Sequence, residues 1–148
     1  MNDLDNTVRL HVYERFLADG RPPTADDTAR ALDITTDEAT AAYRRLEESR
    51  VIVLAPGTNT IWMANPLSAV PTRFRVVTED GRSWWGNCAW DGLGVLAMTG
   101  ADGLVDTSCP DCGEKIELRV SKGELETADA VVHFSVPARA WWQNIGFA

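Results

Sequence analysis

The sequence predicts an α+β protein, with an N-terminal winged-helix module of three helices and a β-hairpin followed by a small mixed β-sheet domain with helices. Two observations support this fold class. Apolar residues recur at helical spacing through the first 50 residues. Short alternating or β-branched runs, separated by turn residues, dominate the remainder. We place the module at residues 1–64, a linker at residues 65–71 and the second domain at residues 72–148.

Three segments of the N-terminal module have the apolar spacing and end signals of helices. They are residues 4–17, which precede an Asp-Gly pair, residues 25–32, which follow a threonine, and residues 35–50. In the third segment, Thr35 and Glu38 form the capping-box pattern. Strands at residues 51–54 and 60–63, joined by the turn P-G-T-N, then predict a hairpin. Three helices followed by a two-stranded ribbon are typical of a winged-helix module.

The second domain contains five runs that predict strands, at residues 74–77, 83–85, 104–107, 115–120 and 130–136. The run at 130–136 is the most apolar, so we expect it at the centre of the sheet. The apolar residues from Leu93 to Met98 predict a helix. Pro137 is expected to begin a last helix that carries Trp141 and Trp142.

Composition excludes several classes of protein. The chain has 148 residues, a net charge of −8 and a pI near 4.7. This argues against a general nucleic-acid binder, because Lys and Arg must neutralise phosphates. No apolar run approaches the roughly 20 residues that span a bilayer, and the acidic start MNDLDNT does not resemble a signal peptide, so we expect a cytoplasmic protein. The three cysteines are therefore interpreted as thiols or metal ligands rather than disulfides.

A winged helix also raises the hypothesis of DNA binding. The third helix could enter a major groove with Arg44, Arg45 and Arg50 near phosphates. Asp37 and Glu38 stand at its reading end, however, and would repel DNA. A module that serves packing or interaction is therefore favoured, and a regulator with a thiol sensor domain remains an alternative.

The run SWWGNCAWDGLG at residues 83–94 combines a thiol and a carboxylate three positions apart. Cys88 falls near a predicted helix start, where unpaired N–H groups and the positive end of the dipole favour a thiolate. In a helix, Asp91 would share a face with it. A thiolate can hold a soft metal, and an adjacent carboxyl can deliver or take a proton. The alternative is a small buried cysteine beside a capping or surface acid.

The tryptophans are expected to fill the core and its rim, or to line an apolar slot for an organic group. The tryptophans meant are Trp84, Trp85, Trp90, Trp141 and Trp142. Aromatic content alone does not separate these two roles.

The motif Cys88-Ala89-Trp90-Asp91, its Trp-rich approach, the segment T-S-C-P at residues 107–110 and the closing region 131–147 resemble the organomercurial (alkylmercury) lyase family. The N-terminal module is similar as well. The resemblance implies that Cys88 holds the mercury of an organomercurial and that Asp91 passes protons. Protonolysis then yields a hydrocarbon and bound Hg(II), with no cofactor.

The family's second essential cysteine is expected just after residues 141–147, where this chain has Ala148. Two further expectations follow from that difference. The chain is either a catalytically incomplete member that binds Hg(II) or another thiophilic ion, or a piece of a longer protein.

The run C-P-D-C-G at residues 109–113 has the spacing of a metal knuckle. A structural zinc site needs about four ligands, and the remaining candidates are Cys88, Asp91 and His133. Three interpretations compete: a knuckle for Zn(II) or Cu(I) with a borrowed ligand, a redox-active dithiol, and idle thiols in a turn. We favour a soft-metal role, in which Cys109 or Cys112 approaches Cys88 and replaces the missing cysteine. His133 is expected to be a satisfied strand residue rather than a ligand.

Overall fold

A computed structural model describes residues 2–126 and 129–146 of the chain. The helices are α1 (Asp3–Asp19), α2 (Ala25–Leu32), α3 (Thr36–Glu48), α4 (Ala89–Thr99) and a 3₁₀ helix at Ala138–Gln143. The strands are β1 (Val53–Leu54), β2 (Ile61–Ala64), β3 (Leu67–Ser68), β4 (Phe74–Thr78), β5 (Ser83–Gly86), β6 (Gly103–Ser108), β7 (Lys115–Ser121) and β8 (Glu124–Leu125). The predicted α+β class is confirmed. Within these described ranges, no helix is both long and apolar enough to cross a membrane.

Each of the first three helices begins with a capping box, in which the N-cap side chain and the acid three positions later bond to each other's backbone N–H. The pairs are Asn2 with Asp5, Thr24 with Asp27, and Thr35 with Glu38. Only the last was expected from the sequence. The boxes satisfy backbone donors that would otherwise be unpaired at the start of a helix.

Helices α1 and α3 pack together through fully buried side chains, among them Val12, Phe16 and Tyr43. An ion pair ties the same two helices. Asp5 is 2% exposed, and the Nη2 of Arg45 lies 2.7 Å from its Oδ1. The hydrogen bond from Arg45 lowers the pKa of the Asp5 carboxyl, against the opposing effect of burial. Arg45 therefore serves the packing of the helices.

The described strands form one sheet in the order β1-β2-β3-β5-β4-β6-β7-β8, and every pairing is antiparallel. A mixed sheet was expected, but the short connections favour antiparallel neighbours. The segment predicted as a linker contains β3, which pairs with β2 and with β5. The hairpin and the later strands consequently share one sheet. The division of the chain at residues 64 and 72 stays a prediction.

The prediction of a central strand at residues 130–136 is wrong. The described residues 129–137 form no strand, and Val131 is 92% exposed. An apolar run becomes a strand only when a neighbouring edge offers its N–H and C=O groups, and this segment pairs with neither edge of the sheet. The sheet's centre is formed by β5 and β4 instead.

A helix does begin directly after Pro137, as predicted, but it is a 3₁₀ helix. Its Trp141 donates a hydrogen bond through Nε1 to the carbonyl of Val136, 2.7 Å away. Trp142 lies beneath the guanidinium of Arg50, 5.4 Å from ring centroid to Cζ. The closing segment is thereby held against the end of α3 by a cation–π contact.

Candidate active site at the start of α4

Two glycines set the position of α4 against the sheet. A Cβ on Gly86 would lie 2.6 Å from the backbone nitrogen of Gly92, and a Cβ on Gly92 would lie 2.8 Å from Cγ1 of Val105. Because neither residue has a side chain, the first turn of α4 can lie directly on β5 and β6. This close approach places Cys88 and Asp91 at one end of the sheet.

Cys88 is the N-cap residue of α4, and its Sγ accepts a hydrogen bond from the backbone N–H of Asp91 at 3.3 Å. The predicted helix start is therefore confirmed. The predicted preference of Cys88 for the thiolate form is not confirmed, because burial raises the pKa of its thiol. The nearby Asp91 carboxylate raises it further, and the N–H groups of Asp91 and Trp90 only partly oppose this. Cys88 needs a proton acceptor to become a nucleophile.

Asp91 is the natural candidate for that acceptor. Burial raises the pKa of its carboxyl, and hydrogen bonds with Asn87 and Cys88 offset part of the rise. A raised pKa brings a carboxyl closer to the pH at which it can both take and give a proton. The thiol and the carboxyl are near enough for each to change the pKa of the other. Together they form a pair between which a proton can move.

A group of polar residues that sequence reasoning missed supports this pair. Asn87 donates through Nδ2 to Oδ1 of Asn65 at 3.1 Å and to the carbonyl of Pro66 at 3.3 Å. The hydroxyl of Tyr13 donates to the carbonyl of Asn65 at 2.9 Å. Oδ1 of Asn87 is buried and has no partner within the part of the chain that the structure describes. The position of Asn87 directly before Cys88 was the one feature of the sequence that could have indicated its role.

Of the two roles expected for the tryptophans, the structure shows the first for Trp84. Trp84 is buried, and its Nε1 donates to the carbonyl of Leu17 at 3.2 Å. Trp90, which lies between the two candidate residues, is 66% exposed. The Trp90 ring therefore neither fills the core nor lines an enclosed slot.

Cys109 and Cys112 lie in the turn between β6 and β7, and His133 is exposed on the segment without strands. The sequence predicted that a metal site would need these residues to converge with Cys88 and Asp91. Among residues 2–126 and 129–146, no three His, Cys, Asp or Glu side chains come together to hold a metal. A three- or four-ligand zinc site therefore has no support in the described structure. The predicted strand position of His133 is also wrong.

The fold and site define an α+β protein with a thiol and a carboxyl paired at a helix start. The sequence model of the alkylmercury lyase family, MerB, matches residues 67–147, which is 81 of 148 residues. This chain belongs to the alkylmercury lyase family, as predicted. The matched region contains Cys88, Asp91 and both turn cysteines.

A solved structure described as the mercury-bound form of MerB2 is similar in fold, with a TM-score of 0.66. The two sequences are 24% identical over 86% of this chain and 60% of that chain. This chain thus spans less than two thirds of that protein's length. No curated protein matches the sequence significantly.

Proposed function

We propose that this protein is an organomercurial lyase, which cleaves carbon–mercury bonds by protonolysis. Family membership supports the reaction class. The observation that carries the proposal is the contact of Cys88 with Asp91 at the start of α4, where the Asp91 N–H lies 3.3 Å from the Cys88 sulfur. The substrate is a small organomercurial, and mercury is substrate and product rather than a resident cofactor.

In the first step, the Cys88 thiol passes its proton to the Asp91 carboxylate, and the thiolate bonds to mercury as a weakly held ligand leaves. The raised pKa of the thiol makes this acceptor necessary. The Asp91 N–H remains as a hydrogen-bond donor to the sulfur. Asp91 then holds the proton beside the new sulfur–mercury bond.

In the second step, Asp91 returns its proton to the carbon bound to mercury. The electron pair of the carbon–mercury bond becomes the new C–H bond, so the hydrocarbon leaves and Hg(II) stays on Cys88. The raised pKa of Asp91 lets it keep the proton until this step. A second thiolate on mercury would weaken the carbon–mercury bond, and a small thiol from solution can supply it.

Asn87 is proposed as a positioning residue for the carboxyl. It is hydrogen-bonded to Asn65 and Pro66, and it is close enough to Asp91 to affect its pKa. Its hydrogen bond to Asp91 lowers the pKa of that carboxyl, so it favours the carboxylate form that takes the proton from Cys88. This would hold the carboxylate in one orientation.

We further propose that residues 1–64 form a winged-helix-like module that serves packing rather than DNA binding. Of the arginines that could approach phosphates, Arg45 is paired with Asp5 and Arg50 lies over Trp142. Glu38, at the reading end of α3, is held in a capping box. The cytoplasmic location expected from the sequence belongs to this proposal as well.

A second candidate function is a family member that binds Hg(II) or organomercurials without cleaving them. It is favoured because the other two cysteines lie in the turn between β6 and β7, so a second thiolate that weakens the carbon–mercury bond would have to come from elsewhere. Binding without product would identify this function.

Turnover of phenylmercury to benzene, measured by gas chromatography with excess small thiol, tests the proposal. Cys88→Ser and Asp91→Ala should each abolish benzene release. Thr35→Ser, which also changes an N-cap, and Asp37→Ala, which removes an exposed acid from the first turn of α3, are matched controls that should keep it. Benzene release by either site variant at the wild-type rate would refute the assignment. Phenylmercury bound by the wild type without benzene would identify the binding function.

A further inference from the structure

The turn between β6 and β7 holds two cysteines that the proposed reaction does not use. The strands pair up to Ser108 and Lys115, so residues 109–114 form a closed loop. Within it, the Cys109 N–H donates to the carbonyl of Glu114 at 2.8 Å, and the Gly113 N–H donates to the carbonyl of Cys109 at 3.0 Å. Gly113 has φ +76°, a left-handed conformation that glycine adopts easily. The loop is thus fixed by its own backbone.

The bond from Gly113 to Cys109 closes the chain over residues 109–113, so both cysteines lie in one turn. Hydrogen bonds from the backbone of Cys112 and Asp111 lower the pKa of the Cys109 thiol. Cys112 is exposed and Cys109 is partly exposed, so both can be reached from solvent. Two cysteines in a C-x-x-C turn have the spacing by which a knuckle places two sulfurs on one metal ion.

We propose that Cys109 and Cys112 form a second site for mercury, in which two thiolates hold one two-coordinate thiophilic cation, Hg(II). On binding, both thiols lose their protons, two sulfur–mercury bonds form and two protons go to solvent. No atom changes oxidation state. The site stands independently of lyase activity, because it uses neither Cys88 nor Asp91.

The number of ligands selects the metal. Zn(II) in a structural site takes about four ligands, whereas the described residues bring no third His, Cys, Asp or Glu to this pair. Two thiolates do satisfy soft d¹⁰ ions such as Hg(II), for which sulfur is the preferred donor.

The pair lies at the same end of the sheet as Cys88 but follows a different strand. Both β5 and β6 run antiparallel to β4, with Gly86 opposite Phe74 and Asp106 opposite Arg75. Cys88 and Cys109 follow the last residues of these strands. Since β4 lies between β5 and β6, the ends of those two strands are two strand spacings apart, each about 5 Å. Among the described residues, neither Cys88 nor any other His, Cys, Asp or Glu joins the pair as a third ligand.

Competition with a monothiol tests the proposal. Cys88→Ser protein, reduced and desalted, is mixed with Hg(II) in excess 2-mercaptoethanol, and bound mercury per chain is measured by native mass spectrometry. A dithiol in one turn has a high effective concentration, so it should capture one Hg(II) where a single thiol cannot. Adding Cys109→Ser or Cys112→Ser should lower the affinity by about 100-fold or more. Adding Asp37→Ala, which removes an exposed acid outside the loop, should leave it unchanged.

Equal capture of Hg(II) by Cys88→Ser with and without Cys112→Ser would overturn the proposal, as would no capture by Cys88→Ser. Tight Zn(II) binding by the same pair would overturn the two-coordinate assignment. Should Cys88→Ser fail to fold, as judged by circular dichroism, wild type is compared with the Cys109→Ser/Cys112→Ser protein. The double variant should then bind one Hg(II) fewer, and an equal count would contradict the site.

Discussion

The starts of α3 and α4 carry the same pattern, an N-cap residue followed three positions later by an acid, but the acids behave in opposite ways. In α3, Glu38 accepts hydrogen bonds from the backbone and hydroxyl of Thr35, and these bonds lower the pKa of its carboxyl. In α4, Cys88 caps the helix, but the Asp91 carboxyl does not complete a capping box with the backbone N–H of Cys88, and burial raises the pKa of Asp91.

The difference teaches that a capping pattern becomes a reactive site through two changes. A thiol replaces the hydroxyl at the N-cap. Sulfur is a poorer hydrogen-bond partner than oxygen but a better ligand for soft metals. The acid, freed from the reciprocal bond, is left in a partly buried position where its charged form is disfavoured. The start of α4 is therefore less stabilised by capping than the start of α3, but its acid can transfer a proton.

The largest expected effect comes from Asp91→Asn. Loss of the proton carrier should slow benzene release from phenylmercury by about 10²- to 10⁴-fold, the usual contribution of general acid–base catalysis. The free energy of unfolding should rise at neutral pH, because a carboxylate disfavoured by burial is removed.

The raised pKa of Asp91 determines how the stability difference between Asp91→Asn and wild type changes with pH. Its folded-state value lies above the ordinary value of 3.8, so the penalty to wild type grows as pH rises above 3.8 and is complete above the folded-state pKa. The increase in the free energy of unfolding caused by Asp91→Asn, measured with urea, should therefore be larger near about pH 7 than near about pH 4. Glu38→Gln should instead lower stability at neutral pH, and the same sign for both variants would remove the contrast between α3 and α4.

Gly86→Ala is the next largest change. Its Cβ would lie 2.6 Å from the Gly92 nitrogen, so the start of α4 must move away from β5. We expect a loss of about 3 kcal/mol in the free energy of unfolding, at the upper end for overpacking. Gly81→Ala, at a turn with open space, tests backbone strain alone, because Gly81 has φ +87°. A Gly86→Ala protein as stable as wild type would show that the close contact is dispensable.

Asp5→Asn probes a conventional buried pair. It removes the carboxylate that binds Arg45, and it should cost about 2 kcal/mol, less than a fully buried pair because Arg45 is partly in water. Because the pKa of Asp5 is lowered, its stabilisation is present above the ordinary value of 3.8 and is lost as pH falls through the folded-state value. The difference between variant and wild type in urea should hence shrink below about pH 4. Asp19→Asn, in an exposed pair with Arg15, should change little.

The smallest effect is expected for Thr35→Ala. Loss of the hydroxyl cap of α3 should lower Tm by about 2 to 4 °C, measured by circular dichroism, without altering mercury binding. Thr35→Ser keeps a capping hydroxyl and should stay close to wild type. Weakened mercury binding in Thr35→Ala would mean that the two helix starts are coupled.

Local patterns predicted most of the helices and strands because their causes are close in sequence. Apolar spacing located α1 to α3, and alternation located β7. The run at residues 130–136 failed for the opposite reason, since its strand required an edge that this fold does not give it. Likewise β3, within the expected linker, exists only because β2 and β5 flank it.

The sequence by itself determined that a thiol and an acid stand three residues apart at a helix start, because helix periodicity and capping are local. Only the tertiary structure decided their chemistry. Burial against the sheet through Gly86 and Gly92, and the contact of Asn87 with Asn65, involve residues distant along the chain. The pKa values of Cys88 and Asp91 depend on this surrounding protein, since desolvation is set by what packs around a group and not by its neighbours in sequence.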